Sequence, residues 1–292
     1  MKRLFSTLFA VAFIAAALLS TGCRSGFADD PILELSSQEA LAEGKRLMQE
    51  EKFRRAQRYL EQAFEASPNS REGREALLLV ADALYLRDSE EGYLRCEAKY
   101  RDFLNRFPTS ERADYAQYQT ANCLFSRMAR PDRDQEVATQ ALGAYQELLR
   151  LYPTSDYIES AREKMSEVLE NLAEAEFSVG AFYIRYRLCS AAITRFEQLP
   201  ETFPSYSSQD KALYHLALAY ANCLKIDEAR EAVALLESDY PDSTWLAELD
   251  KIDDAIRDAE ERKVEVDARR AERERLRAER QEAAEDEGSD PS

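Results

Sequence analysis

The sequence predicts an all-α protein, and three observations support this fold class. From about Gln38 to Ala259, almost every stretch carries apolar residues at helical spacing, as in the stripe of Ala56, Leu60 and Ala63. A proline followed by a short polar break recurs at intervals of roughly 40 residues. No run of alternating β-branched residues occurs. We therefore expect helices separated by proline-marked turns.

The proline breaks divide the chain into repeated helix-turn-helix units. A proline ends the preceding helix, and a following Ser or Asp can cap the next one. Residues of the first, fourth and fifth units fall at the offsets of the tetratricopeptide pattern: Gly44, Phe53, Ala56, Leu60, Ala63 and Pro68; Gly180, Ala192, Phe196 and Pro204; Ala217, Ala229 and Pro241. In the third unit, residues 130–135 lengthen the turn. The pattern predicts a superhelical stack of about five tetratricopeptide-like helix pairs over residues 38–249, with a concave face.

The N-terminus has the pattern of an export signal. Lys2 and Arg3 precede an apolar run to Leu19 that is too short to span a membrane as a helix. Gly22-Cys23 then resembles the end of a bacterial lipoprotein signal, so we expect residues 1–22 to be removed, Cys23 to be acylated and residues 23–37 to form a tether. Cleavage would change the net charge from −17 to −19. An ordinary secretory signal that leaves a free thiol is the alternative.

The C-terminus changes in composition after the repeats. Residues 250–287 are mostly Ala, Arg, Glu, Asp and Lys, with helix-supporting charge pairs four residues apart such as Glu265 with Arg269. A weak apolar stripe through Ile252 and Ile256 soon fades. We expect one long charged helix that packs on the repeats and then enters solvent, with a coiled-coil partner helix as the alternative. Residues 288–292 are expected to be a disordered tail.

Composition excludes several classes of function. His215 is the only histidine, which makes histidine-dependent triads and zinc sites unfavourable. A net charge of −17 opposes binding to nucleic acid phosphates. Neither G-x-G-x-x-G nor G-x-x-x-x-G-K-[ST] occurs. Glu174 and Glu176 are two residues apart on a helix and therefore point to different faces. We expect no cofactor, no metal, no nucleic acid partner and no enzymatic activity.

The four cysteines after Cys23 occupy two equivalent pairs of positions. Cys96 and Cys189 lie early in the second helix of a unit, and Cys123 and Cys223 lie late in the first helix of the next unit. Successive helices of such an array are antiparallel, so the end of one returns beside the start of the one before it. Export implies an oxidising compartment. The positions predict disulfides Cys96–Cys123 and Cys189–Cys223, the alternative being buried thiols that pack as small hydrophobic groups.

The block from Gln140 to Tyr206 resembles the BamD family, lipoproteins of the machine that assembles outer-membrane β-barrels. The resemblance covers roughly residues 38–245 and is carried by Tyr152-Pro153-Thr154-Ser155-Asp156-Tyr157, Ala173-Glu174-Ala175-Glu176-Phe177 and Ala192-Ile193-Thr194-Arg195-Phe196. Asp132-Arg133-Asp134 is similar to an acidic-basic turn of the family. At residues 67–72 the chain departs from the family's aromatic-rich segment.

The resemblance implies a lipid-anchored scaffold on the periplasmic face of the outer membrane. It implies binding to the last POTRA domain of the barrel subunit BamA, to other lipoproteins of the machine and to unfolded outer-membrane proteins. Arg195 matches a family arginine that meets an acidic POTRA surface, with Arg133 and Asp134 as further partner-binding candidates. A solvated helix-face charge is the alternative for Arg195. The rival function is another membrane-tethered periplasmic tetratricopeptide scaffold, serving peptidoglycan or pilus machinery.

Overall fold

A computed structural model describes residues 31–288, with side chains described to residue 281. Within this range there are α-helices and one short 3₁₀ helix but no strand, which confirms the all-α prediction. The helices are α1 (Ser37–Gln49), α2 (Phe53–Ala66), α3 (Arg71–Tyr85), α4 (Glu90–Arg106), α5 (Ala113–Phe125), α6 (Glu136–Leu151), α7 (Ile158–Arg185), α8 (Cys189–Thr202), α9 (Gln209–Asn222), α10 (Ile226–Asp239) and α11 (Leu249–Gly288), with the 3₁₀ helix at Thr244–Glu248. The predicted signal peptide and Cys23 lie outside the described residues.

The chain forms two compact units, one ending at Lys99 and the other starting at Tyr100, so that the boundary falls within α4. In the first unit, Ser36 and Glu39 form a reciprocal capping box that starts α1. α1 and α2 then pack at Gly44, where an added Cβ would lie 2.6 Å from Cδ2 of Leu60. This glycine therefore lets the two helices of the first pair approach closely, as its position in the repeat pattern predicts.

The second unit contains the paired helices α5 with α6, α7 with α8 and α9 with α10. Its core includes Tyr145 and Leu148 of α6 and Phe196 and Leu199 of α8, all nearly inaccessible to solvent. The close approach recurs at Gly180 of α7, where an added Cβ would lie 2.6 Å from Cε1 of Phe196. The same glycine-to-large-residue contact thus occurs in a helix pair of each unit.

The turns inside four of the helix pairs share a backbone feature that the sequence pattern does not reveal. A non-glycine residue adopts positive φ between α1 and α2, α3 and α4, α7 and α8, and α9 and α10: Glu51 at 56°, Asp88 at 48°, Arg187 at 59° and Leu224 at 60°. Such left-handed residues end helices, and an L-residue there costs about 1 kcal/mol or more. Among the described residues, the long turn of the third pair has no residue of this kind.

Helix α11 packs only along its first turns. Ile252, Ile256 and Ala259 are buried against α9 and α10, whereas Val266 is 51 % exposed and Leu276 is 47 % exposed. The helix starts one residue before the predicted segment and includes Gly288, which was assigned to the tail. Residues 289–292 lie outside the described range. In the part of the chain that the structure describes, none of the helices has the length and apolarity required to cross a bilayer.

Cys189 at the start of α8 is joined to Cys223 at the end of α9, with their Cα atoms 5.6 Å apart. This is one of the two pairings that the helix positions predict. Cys96 and Cys123 are also in disulfide bonds. That these two pair with each other stays a prediction.

Candidate partner-binding site

Arg195 lies on α8 and faces α7 across a small cleft. Its Nη1 donates a hydrogen bond to Oε2 of Glu176 over 2.9 Å, and the two side chains are 40 % and 42 % exposed. The cleft has a volume of about 140 Å³ and is also lined by Gln198, Leu199, Thr202 and Phe203. Within the described residues, Nε and Nη2 of Arg195 have no hydrogen-bond partner. The guanidinium group is thus oriented by Glu176 and keeps donors for a carboxylate from outside.

A polar network fixes the helix that carries Glu176. Two residues earlier on α7, on a different face of the helix, Glu174 accepts a hydrogen bond from Tyr206 and pairs with Nζ of Lys211 at 2.7 Å. Burial raises the pKa of Tyr206, and the hydrogen bond to Glu174 raises it further. Glu174 and Glu176 therefore hold separate partners, in agreement with their opposite orientation on the helix. The network joins the α8–α9 turn and α9 to α7, the helix that carries Glu176.

An exposed apolar patch lies next to this cleft along α7. Val179 follows Glu176 by one turn, and Phe182 and Tyr186 continue the same side of the helix at 50 % and 61 % exposure. The Phe182 and Tyr186 rings contact each other with centroids 4.4 Å apart. We call Val179, Phe182 and Tyr186 the α7 patch. Exposed aromatic side chains beside an arginine are typical of protein-binding surfaces.

In the turn before α6, the Asp134 side chain is hydrogen-bonded within the chain, whereas the Arg133 side chain is exposed. Oδ1 of Asp134 accepts the backbone N–H of Glu136 over 2.9 Å, so this carboxylate caps the start of α6. Arg133 is 71 % exposed and only approaches Asp132, at 3.9 Å. Asp132 is instead held by Arg130, whose side-chain hydrogen bonds lower the pKa of that carboxyl group. Arg133 is therefore available to a partner, whereas Asp134 is engaged within the chain.

Among the described residues, no hydrogen bond or ion pair joins Arg133 or Asp134 to Arg195, so the three predicted residues do not form one cluster. The structure also contains a cleft that the sequence pattern missed. It has a volume of about 480 Å³ and lies among the end of α4, α5 and α6, where Gly143 has open space around its Cα. Gly143 was the sequence signal available for this cleft, because a glycine inside a helix leaves open space at the surface when it contacts no neighbouring helix.

His215 is a core residue of the second unit. Its ring contacts Phe177, Tyr214 and Trp245, and Nδ1 lies 2.8 Å from the carbonyl oxygen of Lys211. Burial lowers the pKa of His215, which favours the neutral ring. Across the described residues, no group of three or more His, Cys, Asp or Glu side chains is arranged to hold a metal ion.

Comparisons with known proteins agree with the resemblance noted in the sequence. Residues 34–236 match the sequence profile of the family described as "YfiO: Outer membrane lipoprotein". Three relatives are each named "Outer membrane protein assembly factor BamD". The protein of Caulobacter vibrioides is 28 % identical over 205 residues, which is 70 % of this chain and 66 % of that protein. The protein of Rickettsia prowazekii is 24 % identical over 235 residues, covering 80 % of this chain and 92 % of the relative.

The third relative, from Haemophilus influenzae, is 26 % identical over 220 residues, covering 72 % of this chain and 82 % of its own length. The profile match covers all five helix pairs in part or in full, because it runs from just before α1 into α10. On this extent of similarity, the chain belongs to the YfiO family of outer membrane lipoproteins.

Proposed function

We propose that this chain is a non-enzymatic scaffold lipoprotein of the outer-membrane β-barrel assembly complex. In this role it binds a POTRA domain of the barrel subunit BamA, associates with other lipoproteins of the complex and receives unfolded outer-membrane proteins. The observation that carries the proposal is the family match over residues 34–236, together with relatives named as assembly factors. Stacked helix pairs with exposed faces suit this role, because they present extended surfaces for other proteins.

Arg195 and the α7 patch form the proposed BamA-binding surface. The guanidinium group can donate hydrogen bonds to a second carboxylate while its Nη1 remains bonded to Glu176. Phe182 and Tyr186 supply apolar area beside that charged contact. A central arginine next to aromatic side chains combines the two residue classes that most often dominate binding energy at protein interfaces. Arg133 would add a separate contact, and Asp134 would act by shaping the turn that presents it.

The proposed site of action is the periplasmic face of the outer membrane, with Cys23 as the acylated anchor. The acidic composition supports the need for such an anchor, because a net charge of −17 opposes adsorption to an anionic bilayer surface. Changing Cys23 to Ala should move the protein from the membrane fraction to the soluble periplasmic fraction. Retention of the variant in washed membranes would contradict lipid anchoring.

Charge reversal at Arg195 tests the BamA contact. Arg195→Glu should reduce co-purification of BamA from detergent-solubilised membranes at least tenfold, since it replaces attraction to an acidic surface with repulsion. The double variant Arg195→Glu/Glu176→Arg keeps an ion pair between α7 and α8. If Arg195 acts only within the chain, this double variant should restore BamA binding. If Arg195 contacts the partner, binding should stay weak.

The control for this experiment is Arg162→Glu, a charge reversal at an exposed arginine of the neighbouring helix α7, whose ion pair with Glu159 is long, at 3.7 Å. It should leave co-purification unchanged. Equal BamA recovery with Arg195→Glu and wild type would remove Arg195 from the site. Co-elution of peptidoglycan or pilus components in place of BamA would favour the rival scaffold role.

A further inference from the structure

The first unit contains a basic cavity that the proposed scaffold role does not use. It has a volume of about 470 Å³ and lies where the α1–α2 turn meets the α3–α4 turn. Of its lining residues, four are Lys or Arg and one is acidic. The full lining consists of Glu51, Lys52, Phe53, Arg54, Arg55, Leu86, Arg87 and Ser89. In a chain with a net charge of −17, such a concentration of cations needs an explanation.

Arg87 is the most buried cation of this cavity, with a side chain only 11 % exposed. Its Nη2 lies 3.6 Å from Oε2 of Glu91, and that carboxylate is itself 64 % exposed. Its Nη1 donates to the amide oxygen of Gln57 over 3.3 Å. A largely buried guanidinium normally requires a close carboxylate. Here the ion pair is long and its carboxylate is solvated, so Glu91 compensates the charge of Arg87 only in part.

Arg54 and Arg55 add two more cations at the start of α2. Both side chains are exposed, and neither donates a hydrogen bond or forms an ion pair within the described residues, although the charge of Arg55 helps to lower the pKa of Glu43. Lys52 is paired with Glu50 at 2.7 Å. The first turn of α2 contains no acidic residue, and Lys52 at its N-cap makes no capping bond. The positive end of a helix dipole favours acidic residues. Two arginines at this end are therefore unfavourable in the free protein, and an anion in the cavity would relieve that cost.

We propose that this cavity binds a phosphate group through Arg54, Arg55 and Arg87. Each guanidinium can bond two oxygen atoms of a phosphate. A phosphate carries more oxygen atoms than a carboxylate and can satisfy cations on several sides at once. This chemistry fits three arginines that line one cavity better than the single charge of a carboxylate does.

A phosphate of this kind can come from a free inorganic ion or from a phospholipid headgroup. The proposed anchor at Cys23 lies eight residues before Pro31, the first residue that the structure describes, and eight extended residues reach at most roughly 30 Å. The first unit is therefore within reach of headgroups in the bilayer that would hold the acyl chains. A headgroup in the cavity would give the acidic protein a second membrane contact beside its anchor.

Calorimetric titration tests the site. Inorganic phosphate is added at low ionic strength to the full chain carrying Cys23→Ala. Saturable binding of one phosphate per chain is expected. Arg54→Gln and Arg55→Gln should each weaken it about tenfold, as expected for loss of a charge-assisted hydrogen bond. Arg71→Gln is the matched control, because Arg71 is exposed at the opposite end of α3 from the cavity and should leave binding unchanged.

Sedimentation with vesicles separates the two sources. The site is assigned to anionic headgroups if the protein binds vesicles containing phosphatidylglycerol but not phosphatidylcholine vesicles. This binding should be lost in Arg54→Gln and in Arg55→Gln. Phosphate binding without vesicle binding assigns it to the free ion. The proposal is overturned if phosphate does not bind saturably, if Arg71→Gln weakens binding as much as Arg54→Gln does, or if acetate competes with phosphate at equal concentration.

Discussion

Replacing Gly180 with Ala tests the close packing of α7 and α8 most directly. The added Cβ would lie 2.6, 2.7 and 3.1 Å from three carbon atoms of the Phe196 ring. That ring is 2 % exposed and also contacts Phe177, so it has little room to move. Overpacking of this kind costs about 1–3 kcal/mol. Removing a glycine from a helix interior returns about 1 kcal/mol, so we expect a net loss of up to about 2 kcal/mol in the free energy of unfolding.

Gly143→Ala is the matched control for this change. Gly143 also lies inside a helix of the second unit, but an added Cβ there has no atom within 4 Å. Only the gain in helix propensity remains, so this variant should be more stable than wild type by about 0.5–1 kcal/mol. Urea denaturation followed by circular dichroism at 222 nm measures both variants. If Gly180→Ala is as stable as Gly143→Ala, the inferred contact between Gly180 and Phe196 is wrong.

Three further changes address the turns, the core histidine and the disulfide. Leu224→Gly should be more stable than Leu224→Ala by about 1 kcal/mol in urea denaturation, because glycine adopts positive φ without the steric cost while both variants lose the contact of the Leu224 side chain with the core. Burial lowers the pKa of His215, so the unfolded state takes up the proton first and stability should fall as the pH drops through 6.5. The urea midpoint of wild type should therefore decrease more between pH 7 and pH 5 than that of His215→Gln, and parallel decreases would contradict this. Loss of the Cys189–Cys223 bond, which closes a separation of 34 residues, should cost about 4 kcal/mol in the double Ser variant relative to wild type under oxidising conditions. A loss below about 1 kcal/mol would show that the crosslink constrains the unfolded chain little.

The helix pairs could be predicted from the sequence because their signals are local. Helix α1 begins at a Ser36–Glu39 capping box, and a proline follows the ends of several second helices. Gly44 and Gly180 were identifiable because their contact partners, Leu60 and Phe196, lie a fixed number of residues later in the same repeat. Short-range periodicity therefore contains most of the information for this fold.

The turn conformations were not predictable in the same way. Left-handed backbone is usually signalled by glycine or asparagine. Here Glu51, Arg187 and Leu224 adopt it, and their side chains carry no such signal. The packing of the flanking helices imposes the turn and offsets its cost. The compact division at Lys99 was also not visible, since it falls inside a helix with continuous periodicity.

The candidate site was predictable only in part, because exposed residues are weakly constrained by the fold. Arg195 was found through the family resemblance, and no pattern within this chain distinguishes it from other helix-face arginines. Asp134 was assigned to partner binding from the same resemblance, whereas the structure gives it a capping bond to Glu136. Phe182 and Tyr186 were overlooked because aromatic residues at helical spacing usually belong to a core. Only their accessible area in the folded chain identifies them as surface residues.

That exposure leads to a prediction that separates binding from folding. Phe182→Ser and Tyr186→Ser remove side chains that are 50 % and 61 % exposed, so the free energy of unfolding should change by less than about 1 kcal/mol. BamA co-purification should nevertheless fall at least tenfold, because truncating an aromatic hot-spot residue of an interface costs about 2 kcal/mol or more. Leu235→Ser on α10, at 49 % exposure, is the matched control and should leave both quantities unchanged. Unaltered BamA recovery with the two aromatic variants would remove the α7 patch from the interface, and the aromatic pair would then be surface residues without a role in this contact.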